Sequence, residues 1–191
     1  MPKCNRWGKA AILSAQQLDD LMEQLEPLGR AILQTARYTA GRISEVLALQ
    51  WGNIYKHDLV FPKCITKKKV RTREIPMSPS LISELANWKA KWTEIFSRPP
   101  VANDFVFPTK DLTKHIERRY ADRLLRATCT KLGLDGVSTH SFRRSSLTAA
   151  SDAGLPLRHV MELSGHSSLS VLQEYLSCTE EQKRAVAMAF G

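Results

Sequence analysis

From Ser14 onward, apolar residues return every three or four positions, and one stretch near the middle of the chain breaks that rhythm. Leu18, Leu21, Met22 and Leu25 form the first helical stripe, and Gln17 follows Ser14 at the spacing of a capping box. Pro27 and Gly29 read as its stop, and a second helix is predicted from about Arg30 to Tyr38. After Arg42 the positions Ile43, Val46, Leu47 and Leu49 give a third stripe. Residues 58–76 change character. The β-prone runs Leu59–Phe61, Cys64–Thr66 and Arg71–Ile75 flank a basic tip, which predicts a small antiparallel sheet with a hairpin at Lys67–Val70.

Helical spacing then resumes. Leu81, Leu85, Trp88 and Trp92 recur about every fourth residue, an aromatic face better suited to a core than to base stacking. DFVFP at 104–108 reads as a short extended run leading into a long helix that ends at Gly133. Ile116, Tyr120, Leu124, Leu125 and Leu132 are its apolar positions, while His115, Arg118, Arg119, Arg123 and Arg126 make its other surface basic. Further helices follow, one of them closed by Gly165 and a short one carrying Tyr175. Val186, Met188 and Phe190 close the chain with apolar contacts, for its own subunit or for a neighbour. The pattern predicts a mainly α protein with a small antiparallel β-sheet, an α+β class, with residues 1–13 as an arm and 14–191 as one domain.

Composition narrows the function. A chain of 191 residues with 43% apolar content can bury one substantial core. It has no apolar run long enough to span a membrane and no secretory h-region. A net charge of +9 suits a polyanion, nucleic acid first, although charge gives sign and not identity. Cys4, Cys64, Cys129 and Cys178 are widely spaced, without the tight pairs of zinc ligands, and read as free thiols in a reducing compartment.

The candidate chemistry lies between Thr139 and Leu176. His140 and Arg143 stand three apart, Gly165-His166 follows, and Tyr175 comes nine residues after His166. Two histidines, an arginine and a tyrosine make an odd core but a serviceable phosphate site. Arginine clamps phosphate oxygens in a bidentate way, histidine donates or moves protons, and tyrosine can form a covalent intermediate. A metal site at His140 and His166 is disfavoured, because no acid or cysteine stands at ligand spacing and the arginines repel a cation.

The order His-x-x-Arg, Gly-His, then Tyr nine residues on resembles the C-terminal half of tyrosine recombinases, the phage integrase family. Upstream, Thr39-Ala40-Gly41-Arg42-Ile43-Ser44-Glu45 is similar to the family's Thr-Gly-Leu-Arg-x-Ser-Glu segment and departs from it at Ala40 and Gly41. By itself Arg42 is a surface arginine beside Glu45. The resemblance makes it a phosphate ligand and Glu45 the acid that holds the site together. The family carries its catalytic lysine in the hairpin, eight residues before a strand-ending proline. Counting from Pro76 gives Lys68, with Lys67 as the alternative.

The resemblance spans residues 14–180 and implies the catalytic-domain fold of DNA breaking-rejoining enzymes. It also implies a site-specific recombinase that needs neither metal, cofactor nor ATP. Arg42 and Arg143 hold the phosphoryl oxygens and Lys68 protonates the leaving oxygen. His140 helps with the tyrosine proton, His166 donates to the phosphate, and Tyr175 attacks. Lys67, Lys69, Arg71, Arg118, Arg119 and Arg123 are the expected DNA contacts, against a reading of them as a solvated charged surface. Implied partners are double-stranded DNA, further copies of the chain in a tetrameric synapse, and an accessory directionality protein. The implied location is a bacterial or phage-derived cytoplasm, at the nucleoid. Family members usually carry a separate N-terminal core-binding domain, which these residues lack. A fragment and a short relative of the kind that inverts fimbrial promoters both fit. The competing functions are a type IB topoisomerase-like relaxing enzyme and a non-catalytic DNA-binding protein on a decayed scaffold. His140 favours the recombinase, since such topoisomerases usually have lysine there.

Overall fold

The computed structural model describes residues 8–66, 71–176 and 180–190. Ser14 caps α1 (Ala15–Glu23) through the expected reciprocal bonds with Gln17. Pro27 does not merely end that helix. It sits in the first turn of α2 (Pro27–Thr39), where a missing N–H costs nothing and the fixed φ is already helical. α2 is the hub and packs against α1, α3 (Ile43–Leu47), α4 (Pro79–Phe96), α5 (Arg118–Lys131) and α6 (Thr139–Asp152). Leu21, Ile32, Leu33, Val46, Leu47, Trp88, Trp92, Phe107 and Phe142 are all buried in the main core. The Trp88 and Trp92 stripe is therefore core, with the Trp88 indole N–H donating to the Val106 carbonyl at 2.7 Å.

The break in helical rhythm is a two-stranded antiparallel sheet of β1 (Asp58–Phe61) and β2 (Arg73–Pro76). Leu59 faces Ile75 and Phe61 faces Arg73. Cys64–Thr66 is not a strand: it is a turn in which the amides of Ile65 and Thr66 bond back to Pro62 and Lys63. The hairpin tip expected at Lys67–Val70, with Lys67, Lys68 and Lys69, lies outside the described residues. The 104–108 run is extended and bridges Gln50 through Phe105. The basic helix starts later than expected, at Arg118. His115 precedes it, half-buried, edge-on to Phe105 at 5.4 Å.

α6, α7 (Leu157–Ser164) and α8 (Leu169–Gln173) form a second, smaller packing unit. Ala40, Leu147, Val160 and Leu172 are its core, and Tyr175 packs against it. Tyr175 itself stands just past α8 in a turn, its amide bonded to the Leu172 carbonyl at 2.9 Å. α9 (Glu180–Ala189) follows, with Val186, Met188 and Phe190 exposed around it. No helix among the described residues is long and apolar enough to cross a membrane.

Candidate active site

The turn after α2 builds the first half of the site. Ala40 ends that helix in the left-handed region, at φ 45°, where a Cβ is strained. A Cβ at Gly41 would lie 2.8 Å from the Thr39 hydroxyl and 3.1 Å from Phe61, so a larger residue does not fit. Together these two residues form the turn that differs from the family's Gly-Leu pair, and they deliver Arg42 to the cap position of α3. Glu45, 1% exposed, accepts from the Arg42 guanidinium at 2.8 Å and from the Arg42 amide at 3.2 Å.

Glu45 also binds Arg73, at 3.0 Å. Arg73 belongs to the basic stretch around the hairpin, yet it points inward. Strand alternation puts it on the face of buried Ile75, where it is 6% exposed and lies over the Phe61 ring at 4.6 Å. The signal was present in the sequence as a two-residue step back from Ile75. Arg73 donates as well to the Ser164 carbonyl. Gly165 makes that contact possible: its φ is +69°, and a Cβ there would sit 2.6 Å from the Arg73 Nη1.

Arg143 is 1% exposed and joins the two packing units. It donates to the Ala40 carbonyl, to the Ser164 carbonyl at 3.0 Å and to His166 Nε2 at 2.9 Å. Both carbonyls belong to helix C-termini, those of α2 and α7, whose dipole ends favour a cation. The guanidinium also lies 5.5 Å from the Tyr175 ring centroid, and the His166 and Tyr175 rings are 4.8 Å apart. Burial first, then the charges of Arg42 and Arg73, lowers the Arg143 pKa to about 10, so it stays charged at neutral pH.

The same surroundings hold His166 neutral. Burial, then Arg143, Arg42 and Arg73, brings its pKa down to about 3. The tautomer follows from the network. Nε2 accepts from Arg143, while Nδ1, 2.7 Å from the Ser164 hydroxyl, carries the proton. Arg143 also lies 3.3 Å from Nδ1, and the shorter contact decides.

Two concavities open nearby, one lined by His166 and the other by Tyr175, both neighbours of Arg143. A cleft of about 500 Å³ is walled by Arg42, Glu45, Arg71, Arg73, Gly165 and His166. A groove of about 310 Å³ is walled by Lys9, Ala10, Ser138, His140, Arg144 and Tyr175. Arg143, His166 and Tyr175 are linked by direct contact, and Arg42 joins them through Glu45, Arg73 and the Ser164 carbonyl. His140, although on the same helix as Arg143, is exposed and stands with Tyr175 on the groove. Lys68 and its alternative Lys67 lie outside the described residues, while Thr66 and Arg71 on either side of that run both line the cleft.

The expected DNA contacts divide. Arg71 pairs with Glu162 at 3.0 Å. Arg118 pairs with Asp122 at 3.4 Å, and Arg123 lies over the Tyr120 ring at 5.1 Å. Arg119 is exposed, and Lys69 is outside the described residues. Of the thiols, Cys129 is buried and its pKa is pushed up to about 11, which makes it inert, and Cys64 is exposed. Sequence reasoning did not single out Arg73 as a site residue, nor Ser164, nor Arg144.

Residues 11–182 match the phage integrase family. The tyrosine recombinase XerC of Pediococcus pentosaceus is 32% identical over 155 residues, which cover 80% of this chain and 50% of that protein. Among solved structures, the XerA recombinase superposes with a TM-score of 0.78 at 19% identity, over 96% of this chain and 66% of that one. The XerH recombinase bound to its palindromic difH substrate, in a post-cleavage complex, gives 0.75 at 20% identity, over 96% and 54%. The chain spans about half the length of the curated XerC proteins it matches. On the extent of the family match, the chain belongs to the phage integrase family.

Proposed function

We propose that this chain is the DNA-cleaving part of a site-specific recombinase, joining and exchanging strands through a 3′-phosphotyrosyl intermediate. The observation that carries this reading is a charge imbalance. Among the described residues, Arg42, Arg73 and Arg143 gather around the Glu45 carboxylate, and the second carboxylate of the cleft, Glu162, is already paired with a fourth arginine, Arg71. Buried cations without full compensation are costly, and an arriving phosphate supplies the missing charge.

In the proposed reaction, the Tyr175 oxygen attacks phosphorus and the bond to the 5′ oxygen breaks. Lys68 gives that oxygen its proton, and the tyrosine proton leaves with help from His140. Arg42 and Arg143 carry the charge on the nonbridging oxygens. A phosphoester is exchanged for a phosphoester, so the link retains the energy needed to rejoin. His166 in its present state presents Nε2 as an acceptor to Arg143. To donate to a phosphoryl oxygen from that atom it takes up a proton or shifts tautomer, and the anion itself favours the charged form. Arg71, Arg118, Arg119 and Arg123, with Lys67 and Lys69, supply backbone contacts along double-stranded DNA.

Further copies of the chain complete the assembly. Met188 and Phe190 are 82% and 85% exposed. An apolar depression of about 260 Å³ between α2, α6 and α7 is lined by Tyr38, Leu147, Leu155, Val160 and Leu163. A neighbour's last helix inserting there accounts for both surfaces.

Covalent trapping tests the reading. The protein is incubated with sheared DNA from its source, denatured in detergent, digested with nuclease and searched by mass spectrometry for a nucleotide on Tyr175, beside Tyr175→Phe. An adduct confined to the parent chain supports recombinase chemistry. Folded, DNA-bound protein with no adduct sinks it, and relaxation of plasmid lacking any trapped site redirects it to a topoisomerase.

A further inference from the structure

Arg144, next to Arg143 on α6, is 7% exposed and lines the Tyr175 groove, not the arginine cleft. Its Nε donates to the Tyr175 carbonyl at 3.2 Å, and its Nη1 donates to the Ala10 carbonyl. One guanidinium therefore ties the turn that holds the tyrosine to the segment leading into the domain. A second tie runs parallel to it. The Lys9 ammonium donates to the Glu174 carbonyl at 3.0 Å. The segment is itself fastened to the domain body. The Ala11 amide bonds to the Gly136 carbonyl at 3.0 Å, and the Leu13 amide to the Ser145 hydroxyl at 2.8 Å.

We propose that Arg144 is a positioning residue for Tyr175, and that with Lys9 it couples the placement of residues 9–10 to the placement of the tyrosine. This rests on reading Tyr175 as the nucleophile. The physical need for such a device is plain from the local fold. α8 is only five residues long, and Tyr175 lies beyond its end. A turn there is held by its amide bond to Leu172 and by one small apolar cluster. Two cationic donors on consecutive carbonyls, Glu174 and Tyr175, fix the direction of that turn. Because the acceptors are backbone atoms, the tyrosine ring and hydroxyl stay available to the groove. Because Ala10 shares the same guanidinium, a pull on the entry segment is felt at the tyrosine. DNA or a partner that moves residues 9–10 thereby changes how ready the tyrosine is to attack.

The test uses Arg144→Met, Arg144→Lys and Lys9→Ala in the full chain. The first readout is DNA-free: 3-fluorotyrosine placed at 175 and followed by fluorine NMR. The second is single-turnover cleavage of the duplex recovered by trapping, at saturating protein. Arg144→Met is expected to shift or split the fluorine signal and to slow cleavage by about 10²-fold, the size of effect of a displacement near 1 Å, with affinity for the duplex unchanged. Arg144→Lys is expected to recover part of both. Lys9→Ala, an exposed change, moves both in the same direction by less and serves if Arg144→Met does not fold. An unmoved fluorine signal with full-rate cleavage in folded Arg144→Met overturns the proposal, as does a loss of cleavage traced wholly to weaker DNA binding. A parent chain that never cleaves, with a fluorine signal that still responds to Arg144, defeats the nucleophile reading alone.

Discussion

Arg73 and Arg143, from the sheet and from α6, donate to the same backbone oxygen, the carbonyl of Ser164. Arg73 reaches it from Glu45 and Arg143 reaches it from Ala40, so one atom at the end of α7 aligns both halves of the site. Removing any member of this chain of contacts should therefore be felt at the others.

Glu45→Ala is expected to destabilise the protein by about 3–5 kcal/mol, because it leaves buried Arg73 without its counter-charge. Adding Arg73→Met should restore part of the loss. Urea unfolding of the single and double variants checks this, and a double variant no more stable than Glu45→Ala would contradict it.

Gly165→Ala places a methyl 2.6 Å from the Arg73 Nη1 at a φ of +69°. A loss of about 1–2 kcal/mol is expected from the left-handed backbone alone. Displacement of Arg73 should also lower cleavage. Thermal unfolding read beside trapping yield separates the two effects.

Arg143→Lys keeps the charge but cannot serve both carbonyls and His166 with one ammonium. Cleavage is expected to fall by about 10²–10³-fold, the scale of losing a preorganised donor. Rates within a fewfold of the parent would remove Arg143 from the phosphate site.

His166 links stability to acid. Its folded pKa is about 3 against an ordinary 6.5. Between those values the unfolded chain binds a proton that the folded chain refuses, so unfolding free energy rises with pH across this window. The contribution is complete above the ordinary value and is lost as pH falls toward the folded one, with a slope of at most about 1.4 kcal/mol per pH unit. His166→Asn should flatten that slope in unfolding curves taken at several pH values.

The exposed end of α9 predicts self-association. Replacing Met188 and Phe190 with serine should leave the fold intact, since both are exposed, and should weaken assembly of copies on DNA. Sedimentation on the trapped duplex reads this directly.

Most of the helices were legible because each needs one apolar stripe, and stripes such as Leu81–Trp92 survive in the sequence as periods. The motif arginines and histidines were legible by resemblance. Other features were hidden for physical reasons. Pro27 reads as a breaker, yet a breaker and a first-turn residue look alike until the next helix is seen to begin. Cys64–Thr66 is β-prone in composition but is folded by local backbone bonds into a turn. Arg73 was masked by the basic residues around it, and only the register with Phe61 reveals its inward face. Ser164 acts largely through its carbonyl, which no side-chain pattern announces.

The anchors of Arg143 also bear on how strongly the site can attract. Its guanidinium is fastened by neutral carbonyls at two helix ends, with no carboxylate of its own among its described hydrogen bonds. A cation pinned by an acid approaches DNA as half of a dipole, and its field fades quickly with distance. One pinned by peptide oxygens keeps its full monopole. The fold thus fixes the arginine in place without discharging it, and the first full negative charge free to answer it can come from outside the protein.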